Sequence, residues 1–88
     1  MKLYVIMDRV AEESTPPFMA RTDGVAVRFY LGEMEKIKAH LPDYWLYKIG
    51  SYNTETMALL PLSSPIRVKV SEGLDMEEDS AKEGNEDV

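Results

Sequence analysis

Residues 16–30, Pro-Pro-Phe-Met-Ala-Arg-Thr-Asp-Gly-Val-Ala-Val-Arg-Phe-Tyr, constrain the fold more than any other stretch of the chain. Pro16 and Pro17 cannot donate ladder hydrogen bonds, so Phe18–Arg21 reads as a short edge strand. Thr22 or Asp23 then caps a helix, since either side chain can accept from the orphan N–H groups of a first turn. An aspartate there also suits the positive end of the helix dipole. The helix is expected from about Gly24 to about Ala39, and Pro42 closes that region. At ~100° per residue, Ala26, Val27, Phe29, Tyr30, Leu31, Met34 and Ile37 span roughly 200° of its surface. That is wider than one sheet face needs, and it predicts a sheet on one side and a second subunit on the other. Glu33 falls inside the arc, as a carboxylate that snorkels to water or as a partner for an interface arginine. Gly32 in mid-helix suggests close approach of another element.

Strands surround this helix. Lys2–Asp8 alternates, with Leu3, Val5 and Met7 on one side and Lys2, Tyr4, Ile6 and Asp8 on the other. The first set is purely apolar and is the expected core face. Arg9–Thr15 reads as a loop. Tyr44–Tyr52 is an aromatic strand in which Trp45, Tyr47 and Ile49 oppose Leu46 and Lys48; one set is core, and alternation does not say which. Asn53-Thr-Glu-Thr56 reads as a hairpin turn returning through Met57–Leu60. Pro61, Ser63, Ser64 and Pro65 mark a break, and Ile66–Val70 alternates apolar with basic residues as a half-buried strand does. The expected fold is α+β: one helix packed on a small, mostly antiparallel sheet in the order ββαβββ. A chain of 88 residues makes one such domain at most, here residues 1–70.

Charge divides at the same boundary. Residues 1–70 hold nine Lys/Arg and eight Asp/Glu, whereas residues 71–88 hold eight Asp/Glu and only Lys82. The acidity therefore belongs to the tail, which has too few apolar residues to fold and is expected to be disordered. The body carries a slight basic excess. The chain lacks cysteine, so it has neither disulfides nor a thiolate metal site. The N-terminal apolar run is too short for a signal peptide and no segment has transmembrane length, which reads as a soluble cytosolic protein.

Catalysis finds little material. His40 is the single histidine, placed by the pattern at a helix C-terminus where a cation meets the dipole. No nucleophile elbow, phosphate-cradling glycine loop or zinc spacing is present. The chain reads as no enzyme, with no cofactor. A binding surface remains. Lys2 lies beside Tyr4, Lys48 sits amid Tyr44, Trp45, Tyr47 and Tyr52, and Arg67 and Lys69 line a strand. Cations that neutralise phosphate, mixed with flat rings that stack on bases for roughly 1–3 kcal/mol each, suit single-stranded nucleic acid. The same rings can equally be ordinary core. The candidate contacts are Arg21, Arg28, Lys48, Arg67 and Lys69 for phosphate, and Tyr4, Tyr47 and Tyr52 for stacking. Trp45 is assigned both to stacking and to core. The acidic tail can cover a cationic surface and compete with phosphate, or act only as a solubilising segment.

Several stretches share an order and spacing with one known family. They are Lys2-Leu-Tyr-Val-Ile-Met-Asp8, Pro17-Phe-Met-Ala-Arg-Thr-Asp23, Ala26-Val-Arg28 and Asp43-Tyr-Trp-Leu-Tyr-Lys-Ile-Gly-Ser-Tyr52, with the turn at Thr54, Glu55 and Thr56 and the segment Pro65, Ile66, Arg67 and Val68. The chain resembles the small nonstructural protein of gokushoviruses, the microvirus-type single-stranded DNA phages. The family's turn often ends in glycine, where this chain has Met57. The resemblance implies a protein of the host bacterial cytoplasm, absent from the mature virion and linked to DNA handling. It implies single-stranded DNA binding in genome replication or in the switch to packaging. No catalytic or binding residues carry over from it. The expected partners are single-stranded DNA and a second copy of the chain, as homodimer or higher oligomer. A phage or host protein could meet the acidic tail. The alternative is a non-enzymatic protein-interaction module that modulates the phage replication initiator, the procapsid or a host factor.

Overall fold

The structure is a computed structural model, and it describes residues 1–70. The expected acidic tail lies outside the described residues. Strand β1 (Lys2–Asp8) is central, and β4 (Tyr44–Tyr52) runs antiparallel along one side of it. Strand β5 (Leu59–Val68) follows antiparallel to β4 and ends the sheet. The other side of β1 takes two short antiparallel partners, β2 (Glu13–Ser14) near its end and β3 (Phe18–Ala20) near its start. One helix, α1 (Asp23–Lys36), packs on one face, and a 3-10 turn (Leu41–Asp43) leads into β4. The architecture is the expected α+β layer of one helix on an antiparallel sheet.

Its details differ from the expected ββαβββ in two places. Part of the segment read as a loop pairs as β2, held by Thr15 N–H donating to the Ile6 carbonyl and by Ile6 N–H donating to Thr15 Oγ1, at 2.9 and 3.0 Å. The last two expected strands are one strand. Lys48 faces Ile66 and Gly50 faces Pro61, so residues 62–65 bulge out opposite Ile49 alone. Pro61 and Pro65 are tolerated because β5 is an edge strand. Gly50 is required at this crossing, since a Cβ there would lie 2.6 Å from the Leu60 carbonyl oxygen.

The core lies on the face of β1 that alternation ranked second. Tyr4 and Ile6 are buried against Ala26, Val27, Tyr30 and Met34 of α1, together with Ala20, Leu46 and Val68. On the opposite face Val5 is buried outside that cluster and Leu3 and Met7 are half-buried, with Val5 paired to Tyr47 and Met7 to Trp45. The polar residues that lowered the rank of the Tyr4 face, Lys2 and Asp8, sit at the strand's ends, where side chains reach water. Tyr4 can be buried because its hydroxyl donates to Asp23 Oδ1 at 2.6 Å. Tyr30 likewise donates to the Tyr44 carbonyl at 2.8 Å. In β4, Leu46 is the core residue, and Trp45 and Tyr47 face away.

Thr22 is the N-cap of α1, accepting from Val25 N–H, and Asp23 sits in the first turn. The helix stops at Lys36, short of Ala39, because Lys38 turns left-handed at φ 52°. Ala39 N–H then donates to the Met34 carbonyl and Lys38 N–H to the Glu35 carbonyl, a Schellman closure. His40 is therefore exposed beyond the helix, its carbonyl accepting from Asp43 N–H, and is not a dipole partner. The broad apolar arc splits. Ala26, Val27, Tyr30 and Met34 enter the core and Leu31 packs partly buried against it, while Phe29 and Ile37 stay exposed. Glu33 pairs with Lys36 at 3.0 Å on the surface. Gly32 meets nothing within 4 Å, so no element of the described chain approaches it. The hairpin forms as expected, with Asn53 Oδ1 accepting from Glu55 and Thr56 N–H. Met57 holds the glycine-like conformation at φ 68°.

Candidate nucleic-acid interface

The face of the sheet turned away from α1 carries no helix among the described residues. Along it β1 contributes Leu3, Val5 and Met7, β4 contributes Trp45 and Tyr47, and β5 contributes Arg67 opposite Tyr47. The Arg67 guanidinium carbon lies 3.6 Å from the Trp45 ring centroid, and that of Arg9 lies 3.8 Å from it. Tyr47 stands beside them, its ring 6.3 Å from the indole and tilted by 45°. A cation held over an indole gains roughly 0.5–2 kcal/mol from the ring's negative face. Among the described residues, the two guanidinium groups therefore lie over a flat ring instead of against carboxylates, with N–H donors available to phosphate.

By sequence Arg9 belongs only to a loop, yet the backbone places it well. Asp8 Oδ1 accepts from Val10 and Ala11 N–H, which turns the chain immediately after β1. Arg9 N–H donates to the Asp43 carbonyl at 2.8 Å and Arg9 Nη1 to the Pro42 carbonyl at 3.2 Å. The only local hint was its odd-numbered place after Leu3, Val5 and Met7. The hint acquires meaning once β1 pairs with β4, and that pairing is not local.

The remaining candidates scatter. Lys69 is exposed just past the end of β5, two residues beyond Arg67. Tyr52 is half-buried at the far end of β4, where its N–H donates to the Met1 carbonyl. Arg21 is exposed beside the helix cap, with its carbonyl accepting from Lys2 Nζ, and Arg28 is exposed on α1. Tyr4 is corrected, and Lys48 turns to the helix side with its side chain 24% exposed. Both belong to the covered face, where Tyr4 Oη and Lys48 Nζ meet the same Asp23 Oδ1, at 2.6 and 3.4 Å. Tyr4 is fully buried and has no ring face for a base. Lys48 ties β4 to the first turn of α1. Burial, then the hydrogen bond donated to Asp23 and the charge of that carboxylate, push the Tyr4 hydroxyl well above the usual tyrosine range. Burial also raises Tyr30, partly offset by the charge of Arg67.

Trp45 is not a core ring: it is half-buried on the uncovered face, and the Arg9 and Arg67 guanidinium groups lie over it. Of the sequence-selected residues, the structure brings together Trp45, Tyr47 and Arg67, and adds Arg9. On the helix side, Phe18, Phe29, Ile37, Pro16 and Tyr44 line a second feature, an apolar groove of about 430 Å³ with Glu13 and Glu33 among its walls. Among the described residues no group of three or more His, Cys, Asp or Glu could hold a metal ion, and no helix is long and apolar enough to cross a membrane.

The family model of the phage ORF5 protein matches residues 1–76. No curated protein and no solved structure matches the chain.

Proposed function

We propose that this chain, which belongs to the phage ORF5 protein family, is a single-stranded-DNA-binding accessory protein acting in genome replication or in the switch to packaging. One observation carries the reading: Arg9 and Arg67 stacked on Trp45 beside Tyr47, on the uncovered face of the sheet. Arg9, Arg67 and Lys69 contact phosphates. Tyr47 offers a stacking face, and a base that displaces one guanidinium from Trp45 gains a second ring while the freed cation turns to the backbone. Contacts of this kind read no sequence. The protein works in the cytoplasm of the phage's host as a dimer or higher oligomer, and the phage is of the gokushovirus type. The acidic tail regulates access by competing with phosphate.

A salt titration on labelled oligonucleotide tests this. Engagement of Z phosphates gives a log–log slope of roughly −0.7Z, and Arg67→Gln should flatten the slope by about one phosphate's share. Absence of binding at low salt by both the full chain and a 1–70 truncation overturns the reading. Equal affinity of the two rejects only the masking role of the tail.

The apolar groove beside α1 favours a second reading, a protein-interaction module that modulates the phage initiator, the procapsid or a host factor. Its occupant would be an apolar segment of another protein carrying a basic side chain toward Glu13 and Glu33. Phe29→Asp separates the readings: it abolishes capture of such a partner and leaves oligonucleotide affinity intact.

A further inference from the structure

The two edges of the sheet are built differently. On the β1 side the edge is broken into β2 and β3, with Pro16 and Pro17 between them. On the other side β5 presents a long run whose apolar side chains stay in water: Leu59 is 59% exposed, Leu60 65% and Ile66 51%. A long apolar edge with unpaired backbone groups is a template for another strand. Hydrogen-bond alternation along an antiparallel pair shows which groups point out. Asn53 N–H donates to the Ala58 carbonyl, and Leu59 and Leu60 face Tyr52 and Ser51 in turn. The backbone groups of Leu60 therefore point toward β4, and those of Leu59 and Pro61 point outward. The outward set is the Leu59 N–H and the Leu59 and Pro61 carbonyls, because proline has no N–H.

We propose that β5 pairs antiparallel with β5 of a second copy across a twofold axis centred on Leu60. The pattern is self-complementary. In this register Leu59 N–H of each copy donates to the Pro61 carbonyl of the other, and the Leu59 carbonyl, which proline cannot serve, stays open to water. Leu60 meets Leu60 in a non-hydrogen-bonded pair, where side chains approach most closely. Registers centred on Arg67 place like charges opposite each other and are disfavoured. A second copy is the fitting occupant, not the acidic tail, whose Glu72, Asp75, Glu77, Glu78 and Asp79 make it a poor strand beside an apolar edge. An axis perpendicular to the sheet leaves both uncovered faces on one side and both helices on the other. On the DNA-binding reading above, on which this consequence rests, the two Arg9–Trp45–Arg67 clusters form one continuous platform, and a DNA strand crossing the seam couples the copies.

The absence of cysteine makes the test direct. A non-hydrogen-bonded antiparallel pair sets Cα atoms about 4.5 Å apart, within the ~4.4–6.8 Å that a disulfide spans. Full-length Leu60→Cys under mild oxidant should become a covalent dimer about tenfold faster than Thr54→Cys at the hairpin tip. Adding Leu59→Pro, which deletes an outward donor and no hydrogen bond to β4, should suppress that linkage. Without DNA, sedimentation velocity should show wild type dimerising and Leu60→Lys associating about tenfold more weakly, with unchanged near-ultraviolet circular dichroism. Equal cross-linking at positions 54 and 60, insensitivity to Leu59→Pro, or a wild type monomeric at high concentration overturns the proposal. These readouts need no nucleic acid, so failure of DNA binding leaves them standing. If cross-linking succeeds and the oligonucleotide site size does not change on linkage, the pairing holds and the shared platform fails.

Discussion

The two faces of the sheet use similar residues to opposite ends. Beneath α1, Tyr4 and Lys48 converge on Asp23, and the tyrosine ring is fully buried. On the uncovered face, Tyr47 stays partly in solvent, and Arg9 and Arg67 rest on the Trp45 ring. The covered face ends its polar groups on one another, as a buried network must. The other keeps its cations over a polarizable ring, which leaves most of their N–H donors for an outside acceptor, one from Arg9 going to the Pro42 carbonyl. Residue type alone therefore assigns no role here; the side of the sheet does.

The sharpest way to break this contrast is to truncate each face and compare. Leu46→Ala should destabilise by about 2–5 kcal/mol in urea unfolding, because Leu46 is 1% exposed in the core. Trp45→Ala should change stability far less and weaken oligonucleotide binding by roughly 1–3 kcal/mol. Equal stability losses at the two sites would erase the distinction between the faces. Tyr4→Phe should remove about 1.5–3 kcal/mol through the lost bond to Asp23, whereas Tyr47→Phe should have little effect on unfolding.

A pH series sharpens the same contrast. The folded state raises the Tyr4 and Tyr30 hydroxyls above their unfolded value, which is about 10. Their stabilising contribution is thus complete below pH ~10 and is lost as the pH climbs toward their folded values, because the unfolded chain releases protons that the folded chain retains. Urea midpoints should fall between about pH 9 and pH 11, and Tyr4→Phe should flatten the fall. The smallest expected effect is a gain. Gly32 faces open space, so Gly32→Ala should stabilise by about 0.8–1 kcal/mol in the same assay. A loss would mean that a second molecule packs there.

Much of the fold was legible because its signals are local. Thr22 as a cap, Asn53 at the hairpin and the alternation of β1 and β4 need only neighbouring residues to be read. The exits from these elements were harder. Lys38 and Met57 take left-handed conformations that glycine would advertise, and here lysine and methionine carry them silently. The candidate site was half legible. Trp45, Tyr47 and Arg67 were selected for their chemistry, and the register places them together. Arg9 carries little local signal, and Tyr4 proves to be core, for a single reason: both depend on which strand lies beside which, and on where the helix lands.

By itself the sequence determined most of the elements, their periodicities, the α+β class and the charge division between body and tail, since propensity, capping and composition act over a few residues. Only the tertiary structure decided which face of β1 is core, that β4 brings Trp45 under Arg9, and that two expected strands run as one edge. Those outcomes follow from Asp23 receiving Tyr4 and Lys48 together and from Gly50 admitting the Leu60 backbone. Both are contacts between residues far apart in the chain, whose pairing no local pattern encodes.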